Sequence, residues 1–313
     1  MRAIRDALIQ YIAVRRALGT QLREPAVTLG HFVEFLEREG AEFITINLAI
    51  RWAQEPQHVQ RATWARRLTM VRRFAAWLSV FDPRTEIPPN RILNARHRRN
   101  KPYIFTDQEI ERLMAEAARL PSPKGLRALT HVTLIGLLAA TGLRPGEALA
   151  LDLRDMDLQS GILAIRHTKF GKSRFVPIEE STCAALAHYM KRRNEVCACC
   201  PADGFLISER GTRLGACAVR RTFAKISRAI GLRATAEGRR IGRGPRLQDM
   251  RHTFATRKLI EWYRDGLDVG RELPKLTTYL GHVDVSHTYW YIEAVPELLH
   301  LATEQISQWG GAQ

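Results

Sequence analysis

A stretch without apolar periodicity divides this chain into two parts. IPPNRILNARHRRNKPYIFT, from Ile87 to Thr106, combines prolines, asparagines and a basic run, a composition typical of an interdomain linker. At 313 residues the chain is long enough for two domains with separate cores. We therefore predict one domain over residues 1–97, a linker over 98–105 and a second domain over 106–313.

Local patterns predict helices in both parts and strands in the second. Residues 57–81 place apolar side chains three and four positions apart, which forms one stripe of a helix. Thr106, followed three positions later by Glu109, is a capping box that predicts the start of another helix. GILAIRH, from Gly161, and SRFVPI, from Ser173, flank a turn containing glycine and predict a β-hairpin.

The charge of the chain indicates a polyanionic partner. The net charge is +16 and the pI is about 10.2, with 17 arginines, no lysine and nine acidic residues in positions 1–100. A positive field of this size favours nucleic acid, although a ribosome-associated or merely basic protein is the alternative. The candidate DNA contacts are basic residues of the predicted helix and linker, any of which could instead form a solvated face: Arg66, Arg67, Arg73, Arg96, Arg98, Arg99 and Lys101.

The segment TGLRPGEAL predicts an arginine at a fixed corner. Gly142 can end one helix in the left-handed conformation, and Pro145 fits the first turn of the next. Arg144 then lies between the two helices, with Glu147 one turn away to orient it. A guanidinium in such a place can bind two phosphate oxygens, whereas an incidental arginine at a surface helix start is the alternative.

The segment QDMRHTFAT predicts a second arginine on a helix. If Asp249 caps that helix, Gln248, Arg251 and His252 come near one another at offsets of three and four. Arg251 could then meet the same phosphate as the first arginine. A purely structural pair between an arginine and a carboxylate is the alternative.

The segment LPKLTTYLGHVDVSHTYWYI supplies a histidine and three tyrosines. Gly281 is a natural helix stop, so His282 lies at a turn before a short helix that ends near Tyr291. A tyrosine is an informative nucleophile because its attack on a phosphodiester yields a phosphodiester of comparable energy, and the strand can be rejoined without ATP. Tyr279 and Tyr289 are also present, and a core position is the ordinary role of such residues.

Taken in order, these segments resemble the tyrosine recombinases, also called the phage integrase family, over residues 103–300. The resemblance implies a mainly α-helical fold with a small antiparallel β-sheet. Residues 1–97 would be a helical core-binding (SAM-like) DNA-binding domain, and residues 106–313 the catalytic domain. The implied activity is site-specific DNA breakage and rejoining through a 3′-phosphotyrosyl intermediate, without metal or nucleotide cofactor.

The resemblance also implies the reacting groups. Tyr291 stands nine residues after His282, where the family has its nucleophile, and Tyr289 is the second choice. Aligning KFGKSRFVP with the Lys-Gly-x-Lys-x-Arg-x-Val-Pro hairpin of the family makes Lys169 the general acid for the departing 5′ hydroxyl. Lys172 is the second choice, and it is also a candidate DNA contact.

The implied phosphate clamp departs from the family pattern at one position. Arg144 and Arg251 match the two arginines that hold the scissile phosphate, with Glu147 supporting the first and His252 beside the second. Gln248 stands where the family most often has histidine. A glutamine can donate a hydrogen bond to phosphate but cannot become a cation or shuttle protons.

Partners and location are further expectations. The family works as a homo-oligomer, a dimer on one DNA site and a tetramer in synapsis. The tail EAVPELLHLATEQISQW resembles the helix that docks on a neighbouring protomer, but it could equally fold back on its own domain. The phrase TYWYIEAVPELL resembles transposon-borne members. The chain has no signal-peptide pattern and no membrane span, so we expect a cytoplasmic, nucleoid-associated protein.

Two other functions are consistent with the same sequence, and the cysteines raise the question of a metal site. A non-catalytic DNA-binding protein of the same fold would be consistent with Gln248, and a type IB topoisomerase would use similar chemistry. Three of the five cysteines, Cys197, Cys199 and Cys200, form CACC, which lacks the paired spacing of a zinc site. We therefore predict no metal.

Overall fold

The computed structural model describes residues 2–93, 102–166, 173–197, 203–234, 244–282 and 284–310. The chain forms two compact units, Met1–Asn100 and Lys101–Gln313. Among the described residues, none of the helices combines the length and the apolar character needed to cross a bilayer.

The described part of the first unit is helical. Its helices are α1 (Arg2–Ala17), α2 (Arg23–Arg38), α3 (Ile46–Gln54) and α4 (Arg61–Leu78). Helix α4 carries the predicted apolar stripe, and Leu68, Val71 and Leu78 are buried, but the helix is shorter than the predicted 57–81 at both ends. The core of the unit combines aliphatic side chains with aromatic ones, such as Phe32 and Trp52, whose rings lie 5.0 Å apart.

The second unit is mainly helical with a small sheet. Its elements, in chain order, are α5 (Asp107–Ala118), α6 (Leu126–Thr141), α7 (Pro145–Ala150), a 3-10 turn (Leu153–Asp155), β1 (Met156–Asp157), β2 (Ile162–Ile165), β3 (Arg174–Pro177), α8 (Glu180–Val196), α9 (Ala216–Ala229), α10 (Gln248–Arg264), α11 (Val269–Leu280), α12 (Ser286–Ala294) and α13 (Pro296–Gly310). The predicted fold class, mainly α with a small antiparallel sheet, is confirmed.

The sheet is antiparallel, with strand order β1-β2-β3. The predicted hairpin is present as β2 and β3, in which Leu163 pairs with Val176. Both of these side chains are buried, whereas Phe175 on the opposite face is 74% exposed. Strand β1 was not predicted because two residues are too short to show an alternating pattern.

Helix α10 joins the two hydrophobic clusters of the second unit. Met250, near its start, is buried in the cluster built around α6, whose own Leu134 and Leu138 are buried. Ala255 and Leu259, farther along α10, belong to the cluster formed with α11, α12 and α13. Because one rigid helix serves both clusters, residues at its N-terminal end have a fixed position relative to the turns that end α6 and α11.

The first part of α13 packs on its own unit. Leu298 is fully buried in the cluster with α10 and α11, and Glu297 pairs with Arg264 of α10 at 2.9 Å. Leu299, the next residue, is 48% exposed. Helix α13 therefore folds back along α10 at its start, one of the two outcomes that the sequence left open.

The segment before α5 is attached to α10. The predicted capping box is present: Thr106 Oγ1 accepts from the N–H of Glu109 at 3.2 Å, and the carboxylate of Glu109 accepts from the N–H of Thr106 at 2.9 Å. The preceding residue, Phe105, donates its N–H to Thr253 Oγ1 at 3.0 Å and accepts from Arg257 at 2.9 Å. The box thus ends a segment that is bonded to the helix carrying Arg251.

We predict that Thr106→Ala lowers the free energy of unfolding by about 1 kcal/mol, because the exposed hydroxyl contributes little beyond its cap. Chemical denaturation of the full chain measures this change. Thr278→Ala is the matched control, since the exposed hydroxyl of Thr278 donates to the carbonyl of Pro274 within its own helix. A loss from Thr106→Ala no larger than that from the control would contradict the prediction.

Candidate active site

Arg144 lies at the corner between α6 and α7. As predicted, α6 ends at Gly142, whose φ of 60° is left-handed, and α7 begins with Pro145. Glu147 accepts from the backbone N–H of Arg144 at 3.1 Å and from its Nη1 at 2.7 Å. The Nη2 of Arg144 donates to the carbonyl oxygen of Gly281 at 3.3 Å. The guanidinium is therefore fixed, while 32% of the side chain stays exposed.

Glu147 also binds Arg174 of β3, to which the sequence analysis assigned no role. Arg174 donates Nη2 and Nη1 to the two carboxylate oxygens of Glu147, at 2.8 and 3.2 Å, and Nε to the carbonyl of Tyr279 at 2.8 Å. A Cβ atom at Gly281, where φ is 66°, would lie 2.8 Å from Nη1 of Arg174. Arg174 therefore joins β3, α7 and α11. The sequence could have indicated Arg174 through its place in KFGKSRFVP, which is the hairpin pattern itself.

The carboxylate of Glu147 stays ionised despite its burial. Burial raises the pKa of Glu147, but the hydrogen bonds and charges of Arg174 and Arg144 lower it by more, so the pKa lies below its ordinary value. With 8% of its side chain exposed, Glu147 holds two guanidinium groups through one buried negative charge.

Arg251 is 1% exposed and binds two carbonyl oxygens. Its Nη1 donates to Gly142 at 3.0 Å and its Nη2 to Leu280 at 2.6 Å. Burial lowers the pKa of Arg251 to about 10, and the nearby charge of Arg144 adds to this shift. The side chain is still a cation at neutral pH.

Both arginines are therefore held by the C-terminal ends of helices. Gly142 follows the last turn of α6, and Leu280 and Gly281 end α11. Carbonyl groups at helix C-termini carry partial negative charge and have no partner within the helix. These carbonyls accept from Arg251 and Arg144, so the helix ends stabilise two neighbouring cations without neutralising them.

The start of α10 differs from the prediction in one respect. The N-cap of α10 is Leu247, so the prediction that Asp249 caps this helix is wrong. Asp249 lies inside the first turn and reaches back instead, accepting from the backbone N–H of Arg246 at 2.7 Å and from its Nη2 at 2.9 Å. Its carboxylate lies 3.9 Å from Nε2 of His252. The contact with Arg246 joins the first turn of the helix to the residue before its N-cap.

Gln248 is the first residue of α10, one turn before Arg251. It is half-buried and lines a cavity of about 430 Å³ between the start of α7 and helix α9. Apolar side chains and the backbone of α7 form most of this cavity: Pro145, Gly146, Leu149, Val219 and Phe223. Gln248 therefore lies beside the first turn of α7, next to the corner that carries Arg144.

Tyr291 and Tyr289 occupy different environments on α12. Tyr291 is 2% exposed, and its ring centroid lies 5.5 Å from that of His252 and 6.2 Å from that of His282. Tyr289 is 49% exposed. Helix α12 continues three residues beyond Tyr291 rather than ending there.

Two of the three candidate arginines of α4 have other partners within the first unit. Arg67 stacks on Trp52 with its Cζ 3.9 Å from the ring centroid and donates to the backbone carbonyl of the same residue at 2.8 Å. Burial lowers the pKa of Arg67. Arg66 pairs with Glu24, and Arg73 is exposed.

Several candidates lie outside the described residues. These are the two hairpin lysines and the basic residues of the linker: Lys169, Lys172, Arg96, Arg98, Arg99 and Lys101. Cys199 and Cys200 also lie outside them. In the described parts of the chain, no three side chains among His, Cys, Asp and Glu are grouped as metal ligands would be.

Comparison with known sequences identifies relatives along the whole chain. Residues 104–297 match the phage integrase family. The chain is 45% identical over 312 residues to the "Putative integrase/recombinase y4rB" of Sinorhizobium fredii, with 98% of each chain covered. It is 30% identical over 307 residues to the tyrosine recombinase XerD of Caulobacter vibrioides, with 95% of this chain and 93% of the other covered.

Solved structures share the fold at lower identity. The Tn1549 transposon integrase in complex with transposon right end DNA has a TM-score of 0.64 and 17% identity, covering 92% of this chain and 94% of that one. A lambda integrase dimer bound to a COC' core site has a TM-score of 0.62 and 14% identity, covering 90% and 96%.

The lowered pKa of Glu147 makes its contribution to stability depend on pH. A carboxyl group whose folded pKa is depressed stabilises the fold above its unfolded pKa, and this contribution is lost as pH falls through the folded value. We predict that Glu147→Gln is less stable than the natural protein at neutral pH, and that the difference shrinks below about pH 4. Urea denaturation over a pH series tests this; a difference independent of pH would contradict it.

Proposed function

Because the chain belongs to the phage integrase family and is a site-specific tyrosine recombinase, we propose that Tyr291 is its nucleophile. The observation that carries this assignment is the convergence of Arg144, Arg251 and His282 on the surroundings of Tyr291, through the turns that end α6 and α11. The exposed Tyr289 has no such surroundings among its described contacts.

Each step follows from the charge that the reaction moves. The phenol of Tyr291 gives its proton to a neighbouring base, for which His282 is the candidate. Its oxygen forms a bond to phosphorus as the bond from phosphorus to the 5′ oxygen breaks, and a 3′-phosphotyrosyl link results. The transition state places extra negative charge on the phosphate oxygens, where Arg144 and Arg251 donate. These two guanidinium groups are positioned before the substrate arrives, so little reorganisation is needed during the reaction.

The supporting roles rest on resemblance and on the contacts described above. Lys169 protonates the leaving 5′ oxygen, with Lys172 as the second choice. Glu147 orients Arg144, and Arg174 shares this carboxylate, which leaves net positive charge for the phosphate. His282 and His252 border the ring of Tyr291.

Because Tyr291 is buried, the reaction also requires a conformational change. A phosphodiester in duplex DNA cannot reach a side chain that is 2% exposed, so α12 must shift when DNA binds. Helix α13, which includes Leu299, comes next after α12 in the chain, so we expect it to move together with the nucleophile.

The proposed partners are double-stranded recombination sites and further copies of the chain. Two protomers would bind one site and four would form the synapse, with part of α13 docking on a neighbour. The first unit would contribute the core-binding domain, with the exposed Arg66 and Arg73 of α4 and the linker residues Arg96, Arg98, Arg99 and Lys101 as candidate contacts. Such a substrate places the protein in the cytoplasm, at the nucleoid.

Tyr291→Phe is expected to abolish covalent attachment to a nicked suicide substrate made from DNA that flanks the gene. The phenol oxygen is the atom that forms the bond, so its removal leaves binding intact and prevents cleavage. Tyr289→Phe, two residues away on the same helix, is the matched control and should retain adduct formation, read on denaturing gels.

Three results would contradict this proposal, and two of them would indicate a different function. An adduct formed by Tyr291→Phe would refute the nucleophile assignment. A salt-sensitive mobility shift without any adduct from the natural protein would indicate a non-catalytic DNA-binding protein. Relaxation of supercoiled plasmid lacking a special site would indicate topoisomerase activity.

Gln248→His is expected to keep or raise the rate of cleavage. Histidine at the start of α10 would add a charge-assisted hydrogen bond to the phosphate that Arg251 binds, whereas glutamine supplies a neutral one. Single-turnover adduct formation measures the rate, and Gln248→Ala shows what loss of the donor costs. A fall of about tenfold or more in Gln248→His would mean that the glutamine has a different role.

A further inference from the structure

A chain of hydrogen bonds through two buried hydroxyl groups ends at His282. Thr277 Oγ1 donates to the carbonyl oxygen of Leu273 at 2.8 Å, one turn earlier in α11. Thr277 Oγ1 lies 3.0 Å from Thr288 Oγ1 of α12, which in turn lies 2.8 Å from Nδ1 of His282. Thr288 is fully buried and Thr277 is 7% exposed, so these three contacts form inside the protein.

The order of these bonds determines where each proton lies. A hydroxyl group has one proton, and that of Thr277 is used by the carbonyl of Leu273. With the bond from Thr277 to Leu273 kept, Thr288 donates to Thr277, and Thr288 Oγ1 is then an acceptor toward His282. The atom that donates to it is Nδ1, so Nδ1 carries a proton. In the opposite arrangement Thr277 donates to Thr288 and Thr288 donates to Nδ1, and the bond from Thr277 to the carbonyl of Leu273 is lost, at a net cost of about 1 kcal/mol.

We propose that Thr288, supported by Thr277, is a positioning residue that holds His282 with its proton on Nδ1. This assignment rests on the proposed place of His282 at the scissile phosphate. In the neutral ring, Nε2 then has a lone pair and can only accept a proton. Once it has done so, Nε2–H donates to a phosphate oxygen from a ring that carries a full positive charge.

The tautomer of His282 matters because its ring lies within the candidate active site. Its ring is nearly parallel to that of Tyr291, with an interplanar angle of 24° and centroids 6.2 Å apart. The preceding residues, Leu280 and Gly281, accept from Arg251 and Arg144. A ring held in one tautomer next to both guanidinium groups and the phenol adds either a proton acceptor or a third cation to the same site. Fixing the tautomer of a reacting imidazole is a known way for a second side chain to support catalysis.

The tautomer can be observed without DNA. In protein labelled with ¹⁵N-histidine, at a pH where the ring is neutral, His282 should show a protonated Nδ1 and an unprotonated Nε2. Its signals are identified by their loss in His282→Gln. Thr288→Val, which keeps the shape and removes the hydroxyl, should lose the preference for Nδ1–H, and Thr288→Ser should restore it. A natural protein in which Nε2 carries the proton would overturn the proposal.

Cleavage supplies the second readout. Adduct formation on the nicked substrate should fall by about tenfold or more in Thr288→Val, within the roughly 10²–10⁴-fold that a positioned proton acceptor contributes. Thr288→Ser should stay close to the natural rate. Thr278→Val is the control and should be unchanged, because Thr278 is the exposed neighbour of Thr277 on α11 and its hydroxyl donates to the carbonyl of Pro274.

The outcomes separate this inference from the proposed function. Equal losses in Thr288→Val and Thr288→Ser would mean that Thr288 acts through packing, which refutes the positioning role. An unchanged rate in Thr288→Val would refute it as well. If the natural protein forms no adduct, the proposed function fails, and the NMR result alone then decides whether Thr288 sets the tautomer of His282.

Discussion

The ionised carboxylate of Glu147 is the interaction on which the geometry of the site depends. It accepts two bonds from Arg174 and two from Arg144, and it is almost completely buried. Removing one member of such a buried group of charges leaves another charge uncompensated. The stability lost is then far larger than the net contribution of the intact group. The β-hairpin, α7 and the end of α11 therefore keep their relative positions through one side chain.

The cations of the site outnumber this carboxylate. Arg251 is held by the carbonyl groups of Gly142 and Leu280, and one bond of Arg144 goes to the carbonyl of Gly281. Helix C-termini offer partial negative charge, which is enough to orient a guanidinium and too little to neutralise it. The cluster consequently retains positive charge before any substrate is present. A phosphodiester that gains negative charge during the reaction is the ligand that suits such a cluster.

Local contacts were the part of the site that could be predicted. The corner at Arg144 followed from Gly142 and Pro145, whose backbone preferences act within a few residues, and the bond to Glu147 spans a single turn. Asp249 was predicted to cap α10 and does not, because its carboxylate has a second local option, the N–H and guanidinium of Arg246. The residue types were correct there, but two local arrangements compete and the sequence does not rank them.

The sequence by itself determined the family, the fold class, the helix ends at Gly142 and Gly281 and the candidate tyrosines, since these depend on short-range preferences and on ordered motifs. Only the tertiary structure decided that Arg174 shares Glu147, that Arg251 bonds to a carbonyl 109 positions away, and that Tyr291 is buried between two histidines while Tyr289 is exposed. The reason is physical: these contacts join residues far apart in the chain, and they exist only where α10 brings the ends of α6 and α11 together.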